Sequence, residues 1–531
     1  MPGHILAIDQ GTTSSRAVIF NDNAQPIAIA QKPTNLLTPK TGYVEQDAMQ
    51  IWHTQLSCMQ NVINQADLLA TDIEGLAITN QRESIVMWDK LTHQPLAPAI
   101  IWQDRRTSNW CENIQNANQE LDAFIQKTTG LRLDPYFSAS KISWLLNNNA
   151  EIKALVGANR VAVGTIDSWL IYKLTGGEHV IEVTNAARTL LFDINTMQWS
   201  DELITKFDIA KSILPKVVAS DAEFGKTQKG LFAKQLPIYA VLGDQQAALF
   251  GQGCHEPGMA KNTYGTGCFM LMNIGDKPTF SKHQLLTTVA WQHQKLSDYH
   301  HVSSQLSHQL GNQIGSQIGK LVKSGKRILH HPPKQTTYAL EGSVFMAGAI
   351  VQWLRDNLGM FSNSEDVEVL AGEVNDTGGV VLLPAFTGLG APYWKPNLTA
   401  SISGMTRGTK KAHIARAALE AIAFQTHDVL VAMQKDSMHN LTELRVDGGA
   451  AKNDLLMQFQ ADILGVPVLR PSNTEVTAKG VALLAGIKSG LYDEQMIIDS
   501  WKLDKRFEPS MSQDEREYHL HKWQQVINRY I

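Results

Sequence analysis

Cysteine is scarce, with only Cys58, Cys111, Cys254 and Cys268 in 531 residues. They lie far apart, without close Cys-Cys or Cys-His spacing, so neither a disulfide framework nor a structural zinc site is expected. A reducing compartment follows from that pattern. An excess of charge of one sign is also missing: 47 Lys and Arg stand against 51 Asp and Glu, a net charge of −4. Such a balance gives no global attraction to nucleic acid or to an acidic membrane surface. No apolar run approaches the length of a membrane span, and the first, residues 5–8, is too short for the core of a secretion signal. The expectation is a cytoplasmic protein with neither integral membrane association nor a nucleic-acid partner.

What the chain does have is length. At 531 residues it exceeds one hydrophobic core, and two large domains are the natural division. Residues 4–20 read as two apolar strands joined by a polar turn around Gly11, a β-hairpin. The same pattern returns at residues 260–273, around Tyr264-Gly265-Thr266-Gly267. Repetition at that distance predicts two related, facing domains, 1–251 and 252–531. Between the hairpins, a helix over 47–64 and a strand over 73–79 indicate α/β layers. Later, an alanine-rich helix is predicted over 412–433 and a strand over 443–447, from which Gly448-Gly449 leads into another helix.

The turn Gly11-Thr12-Thr13-Ser14-Ser15-Arg16 offers backbone N–H groups, hydroxyls and a guanidinium to phosphate oxygens, and Asp9 before it is a carboxylate suited to Mg²⁺. Alone it also suits a plain polar hairpin, since Gly, Thr and Ser are common turn residues. Its companion at Gly265 strengthens the phosphate reading, because two hairpins from facing domains can close on one polyphosphate. The glycine pair Gly448-Gly449 removes side chains where a strand meets a helix, so a base and ribose could lie against bare backbone.

These segments together resemble the FGGY carbohydrate kinases. Asp9-Gln-Gly-Thr-Thr-Ser-Ser-Arg16, Asn262-Thr-Tyr-Gly-Thr-Gly-Cys-Phe269 and Asp447-Gly-Gly-Ala450 are similar to that family's phosphate and adenosine motifs. Two further signatures match, at residues 136–147 and at residues 400–405 followed by 413–420. The resemblance implies two ribonuclease-H-like domains of the actin and hexokinase type flanking a catalytic cleft, with ATP and Mg²⁺ as cofactors. Within the family the chain is most similar to the glycerol-phosphorylating branch, which implies glycerol as partner, sn-glycerol 3-phosphate as product and a homo-oligomer, dimer or tetramer.

Carried over residue by residue, the resemblance puts Arg82, Glu83, Tyr136, Asp244 and Gln245 on the polyol, with Trp102 and Phe269 as aromatic walls. On the nucleotide it puts Thr12, Thr13, Ser14, Arg16, Thr266, Gly267, Gly348, Gln352, Gly449 and Asn453, with Asp9 on the metal. By themselves, an adjacent Arg82 and Glu83 would read as a surface ion pair. Gly348 would read as helix packing and Gln352 as an exposed side chain. Asp244 follows an apolar strand and a glycine, a position from which a carboxylate can project into a cleft and take an alcohol's proton. The same position suits a helix N-cap, and both roles can coexist. The resemblance makes it the general base.

One stretch departs from the family pattern. Residues 293–335 hold six of the 17 histidines and six Lys or Arg against one acidic residue. They separate Leu285-Leu-Thr-Thr288 from Tyr338-Ala-Leu-Glu-Gly342, two segments that the family joins by a short turn. The stretch reads as a disordered or loosely helical insertion, with a partner or oligomer contact, and then metal or nucleic-acid binding, as the alternatives. The sugar-bisphosphate loop Gly-Gly-Thr-Arg of some members is absent from residues 225–237.

Overall fold

The computed structural model describes residues 3–294, 334–395, 397–473 and 475–530. Most of the histidine-rich stretch, residues 295–333, therefore lies outside the described residues, and so does the expectation attached to it.

The first hairpin forms as its pattern predicts, from β1 (His4–Gln10) and β2 (Ser14–Phe20), with β3 (Pro26–Pro33) beside it. The predicted helix is α1 (Ala48–Gln65), and Asp47 caps it by accepting from the Met49 and Gln50 backbone N–H groups at 2.7 and 3.2 Å. Two more strands, β4 (Ile73–Asn80) and β5 (Ile238–Gly243), complete a sheet of order β5-β4-β1-β2-β3. Its first three strands in sequence run antiparallel, and β4 and β5 join parallel to β1.

The arrangement repeats in the second half. The strands are β6 (Ala260–Tyr264), β7 (Cys268–Gly275), β8 (Leu286–Gln294), β9 (Lys334–Val344), β10 (Leu444–Asp447), β11 (Val468–Pro471) and β12 (Leu503–Phe507). They are ordered β8-β9-β7-β6-β10-β11-β12. Stripped of its edge strands β8 and β12, this sheet is the first one again: β6, β7 and β9 antiparallel, then β10 and β11 parallel. This duplicated order is the ribonuclease-H-like pattern expected from the sequence. Residues 295–333 separate β8 from β9 in the sequence, and these two strands pair with each other from Leu286↔Glu341 to Gln294↔Lys334.

The helices include α2 (Asp244–Gly251), α3 (Gly348–Asp356), α4 (Lys411–Ser437), α5 (Asp454–Leu464), α6 (Val476–Ser489) and α7 (Gln513–Ile527). Two details differ from expectation. Gly448-Gly449 leads first into a short 3₁₀ turn, Gly449–Lys452, and only then into α5. The cap of α2 is Gly243, so Asp244 occupies the first helical position instead.

Strand β1 is buried on both faces, in keeping with its continuous apolar run Ile5-Leu-Ala-Ile8. Leu6 and Ile8 face the core that holds α1, and Ile5 and Ala7 face a second core that holds Ala478, Val481, Ala482 and Ala485 of α6. Thus α6, from the far end of the chain, covers one face of the first sheet. It lies so close to α2 that a Cβ on Gly480 would stand 1.9 Å from the Ala247 carbonyl oxygen.

Candidate active site

Three parallel strands end side by side. In register, Asp9 of β1 lies opposite Thr79 of β4, and Gly243 of β5 lies opposite Asn80. The residues that follow, Arg82 and Asp244, therefore leave the same edge of the sheet, where open α/β sheets hold their ligands. Arg82 Nε stands 3.1 Å from Asp244 Oδ1. Glycine at 243 makes the approach possible, because a Cβ there would meet Arg82 Cδ at 2.8 Å.

Arg82 and Glu83 are not a surface pair. Their relative exposures are 2% and 1%, and neither bonds the other. The Arg82 guanidinium donates through Nη1 and Nη2 to the two carboxylate oxygens of Glu341 on β9, at 2.7 and 2.9 Å. Glu83, held at φ +62°, accepts from Arg188 Nε at 2.6 Å, and Arg188 Nη2 reaches back to Glu341 at 3.0 Å. Asp244, Arg82, Glu341, Arg188 and Glu83 thus form one run of alternating charge.

The aromatic residues close the adjoining side. Trp102 donates from Nε1 to Thr12 Oγ1 at 2.8 Å, and its ring stands edge-on to Tyr136 and Phe269, at centroid distances of 5.7 and 6.2 Å. Lys141 Nζ holds the Tyr136 and Phe137 carbonyls at 2.5 and 3.2 Å. Gln245, beside Asp244, accepts from Lys261 Nζ at 2.5 Å, and the same ammonium donates to Thr263 Oγ1 and the Phe269 carbonyl.

Burial sets the charge states. It raises the Asp244 carboxyl, against the pull of Arg82 and Lys261. It pushes Asp9 up to about 7, with Arg16 opposing and Asp244 and Glu475 reinforcing the shift. Burial would also raise Glu341, but the Arg188 and Arg82 guanidiniums outweigh it and hold that carboxyl at about 2.

The two turns differ in construction. In the first, the Gly11 N–H donates to the Ser14 carbonyl, Thr13 is exposed, and Ser14 Oγ accepts from Gln31 at 3.0 Å. Arg16 is tied to Glu475 Oε2 at 2.5 Å. In the second, the Thr266 carbonyl accepts from the Ala347 and Ala349 N–H groups, and the Gly265 carbonyl accepts from Gly348, so Thr266, Gly267 and Gly348 meet at the start of α3. Gly448, at φ +90°, lies against Tyr264, where a Cβ would stand 2.5 Å from the carbonyl oxygen. Gly449 follows it on an open side, with no atom within 4 Å of a built Cβ. Asn453 spends its side-chain oxygen on capping α5, and Gln352 is exposed on α3.

Residues 4–251 match the model of the FGGY family of carbohydrate kinases, N-terminal domain, and residues 260–489 match the C-terminal domain of the same family. The chain belongs to the FGGY family of carbohydrate kinases. Its curated relatives include the glycerol kinase of Acinetobacter baylyi, 53% identical over 99% of this chain and 98% of that one. The glycerol kinase of Janthinobacterium sp. is 52% identical over 100% and 99%. Among solved structures, the Plasmodium falciparum glycerol kinase with ADP superposes with a TM-score of 0.86 at 32% identity, covering 100% of this chain and 98% of that one. The gluconate kinase of Lactobacillus acidophilus, at TM-score 0.82 but 20% identity, shares the fold.

Within this FGGY scaffold, sequence reasoning missed Glu341, Arg188, Lys261 and Lys141. No local signal singles out Glu341 or Lys261, because both stand in strands of mixed polarity, KQTTYALEGSV and AKNTY. Among the described residues, no group of three or more His, Cys, Asp or Glu is arranged to hold a metal. A cavity of about 420 Å³ does exist elsewhere, beside Glu420, Phe424, His519 and Trp523, and no expected site residue lines it. No helix among the described residues is long and apolar enough to cross a membrane.

Proposed function

We propose that the chain transfers the γ-phosphoryl group of ATP to a primary hydroxyl of glycerol, giving sn-glycerol 3-phosphate and ADP. The observation that carries this reading is the juxtaposition at one sheet edge of a partly accessible carboxylate, Asp244, with Arg82 at 3.1 Å. The kinship with curated glycerol kinases supports the choice of acceptor.

In the proposed reaction Asp244 accepts the hydroxyl proton as the oxygen attacks phosphorus and the bond to ADP breaks. Burial raises the affinity of Asp244 for that proton, which suits a base, while Arg82 and Lys261 keep it ionisable. Arg82, Glu83, Tyr136 and Gln245 offer donors and acceptors to a short triol, and Trp102 and Phe269 flank its carbon chain. On the other side, Thr12, Thr13, Ser14 and Arg16 face the phosphates from the first turn, and Thr266 and Gly267 from the second. Gly348, Gln352, Gly449 and Asn453 take the adenosine.

Asp9 is an oxygen donor next to Asp244, the chemistry a hard cation selects, and Mg²⁺ with a nucleotide needs only one or two protein carboxylates. Asp9 would hold it, and the ion would neutralise phosphate charge.

Asp244→Asn keeps the shape and removes the base. Its kcat should fall on the order of 10²- to 10⁴-fold, with ADP affinity by calorimetry changed less than about threefold. Unchanged turnover would remove Asp244 as the base.

A further inference from the structure

Two of the side chains proposed to meet the polyol, Arg82 and Glu83, are each held from elsewhere in the chain, and the holding residues have no part in the reaction described above. We propose that Arg188 and Glu341 are positioning residues for the acceptor site, a clamp in which Glu341 aims Arg82 and Arg188 aims Glu83. This rests on the acceptor reading of Arg82 and Glu83.

The geometry is specific. Glu341 comes from β9, in the second sheet, and takes both terminal nitrogens of Arg82 in a fork, at 2.7 and 2.9 Å. Such pairing fixes the guanidinium plane as well as its position. With Nη1 and Nη2 so engaged, Nε is the edge left toward Asp244 Oδ1 at 3.1 Å. Arg188, just beyond the short helix Val183–Ala186, bonds Glu83 with Nε and Glu341 with Nη2. Its guanidinium carbon also lies 5.3 Å from the Phe137 ring centroid and 5.9 Å from that of Tyr136. One side chain thus touches Glu83, Glu341 and the aromatic pair.

Glu83 needs holding. Its backbone sits at φ +62°, a conformation costly for a residue with a Cβ and sustained only by its surroundings. Arg188 and Glu341 are both at 0% exposure, and each is flanked by opposite charges, so neither can swing without leaving a buried charge unpaired. An Asp or Glu at a site of this kind that only filled space would not need two guanidiniums. Five alternating charges instead give the acceptor side chains one arrangement.

The test uses the full-length enzyme with three variants: Glu341→Gln, Arg188→Met and the double variant. Each single variant leaves an unbalanced buried charge and should lower the melting temperature. The double variant removes one charge of each sign and should recover part of it, Glu83 still lacking its bond from Arg188. If the pair positions the acceptor side chains, the double variant still shows a glycerol KM raised on the order of 10- to 100-fold, with the ATP KM within about threefold of wild type. Arg188→Lys, which keeps the charge but cannot fork between two carboxylates, should also raise the glycerol KM. The proposal is overturned if the double variant recovers both melting temperature and glycerol KM, or if the two KM values rise together. Singles that fail to fold leave the double and Arg188→Lys to decide. Wild-type turnover tests the acceptor reading separately, and the clamp can be read with whichever acceptor the wild type prefers.

Discussion

The turns that join β1 to β2 and β6 to β7 sit at the same place in two sheets of the same strand order, yet they are made of different material. The first presents side chains: exposed Thr13, Thr12 bonded to Trp102, and Arg16 tied to Glu475. The second presents backbone, with Gly265, Thr266 and Gly267 pressed against residues 347–349 by three main-chain hydrogen bonds. A duplicated scaffold has thus been specialised by what it leaves at equivalent turns. One turn offers polar side chains, and the other bare backbone, to the phosphates that both are proposed to face.

Breaking the second turn should have the largest effect. In Gly267→Ala the new Cβ would lie 2.4 Å from the Val344 carbonyl oxygen and 3.1 Å from that of Phe345, main-chain atoms that cannot step aside alone. A loss of about 1–3 kcal/mol in unfolding free energy is expected, together with weaker ATP binding. At the first turn, Thr13→Ala should cost less than about 0.5 kcal/mol, because the side chain is exposed, while still raising the ATP KM. Denaturant unfolding of both variants checks the contrast. Equal losses would erase it.

The lysines buried by each half sharpen the comparison through pH. Burial brings Lys141 down to about 7 and Lys261 to about 8, from an ordinary 10.5. Between pH 7 and 10 the unfolded chain therefore binds a proton at Lys141 that the folded chain does not, and this group's contribution to stability grows as pH rises. Relative to wild type, Lys141→Met should be favoured most at pH 7 or below and lose ground toward pH 10. Thermal melts in matched buffers would show it. A difference independent of pH would mean that Lys141 keeps its proton.

The smallest effect is expected where the aromatic wall meets the first turn. Trp102→Phe keeps a ring but loses the 2.8 Å bond to Thr12. Such a bond contributes a net of about 0.5–1.5 kcal/mol, so kcat/KM for glycerol should fall roughly two- to tenfold. A loss beyond about 100-fold would show that the indole does more than this bond accounts for.

The hairpins, the helix at Ala48–Gln65 and the strand at Ile73–Asn80 were legible because apolar period and turn chemistry are local signals. The position of Asp244 after an apolar strand and a glycine was legible for the same reason. That Gly243 and not Asp244 caps the helix was not legible, since the choice of the half-in residue depends on backbone angles. Glu341 and Arg188 were silent as site residues. Their partners lie 259 and 105 residues away in sequence, and only the pairing of sheets brings them together. The burial of Arg82 and Glu83 was hidden likewise, since an Arg-Glu neighbour pair reads as surface until Glu341 arrives from β9. Nor does any local feature of residues 476–489 announce that this helix covers the first sheet.

The central claim is that glycerol is the acceptor. A coupled assay of ADP release, run with glycerol, erythritol, ribulose, xylulose and gluconate, tests it most directly. The highest kcat/KM is expected on glycerol, with glycerol 3-phosphate as the product by NMR. A higher kcat/KM on any other of these acceptors would contradict it.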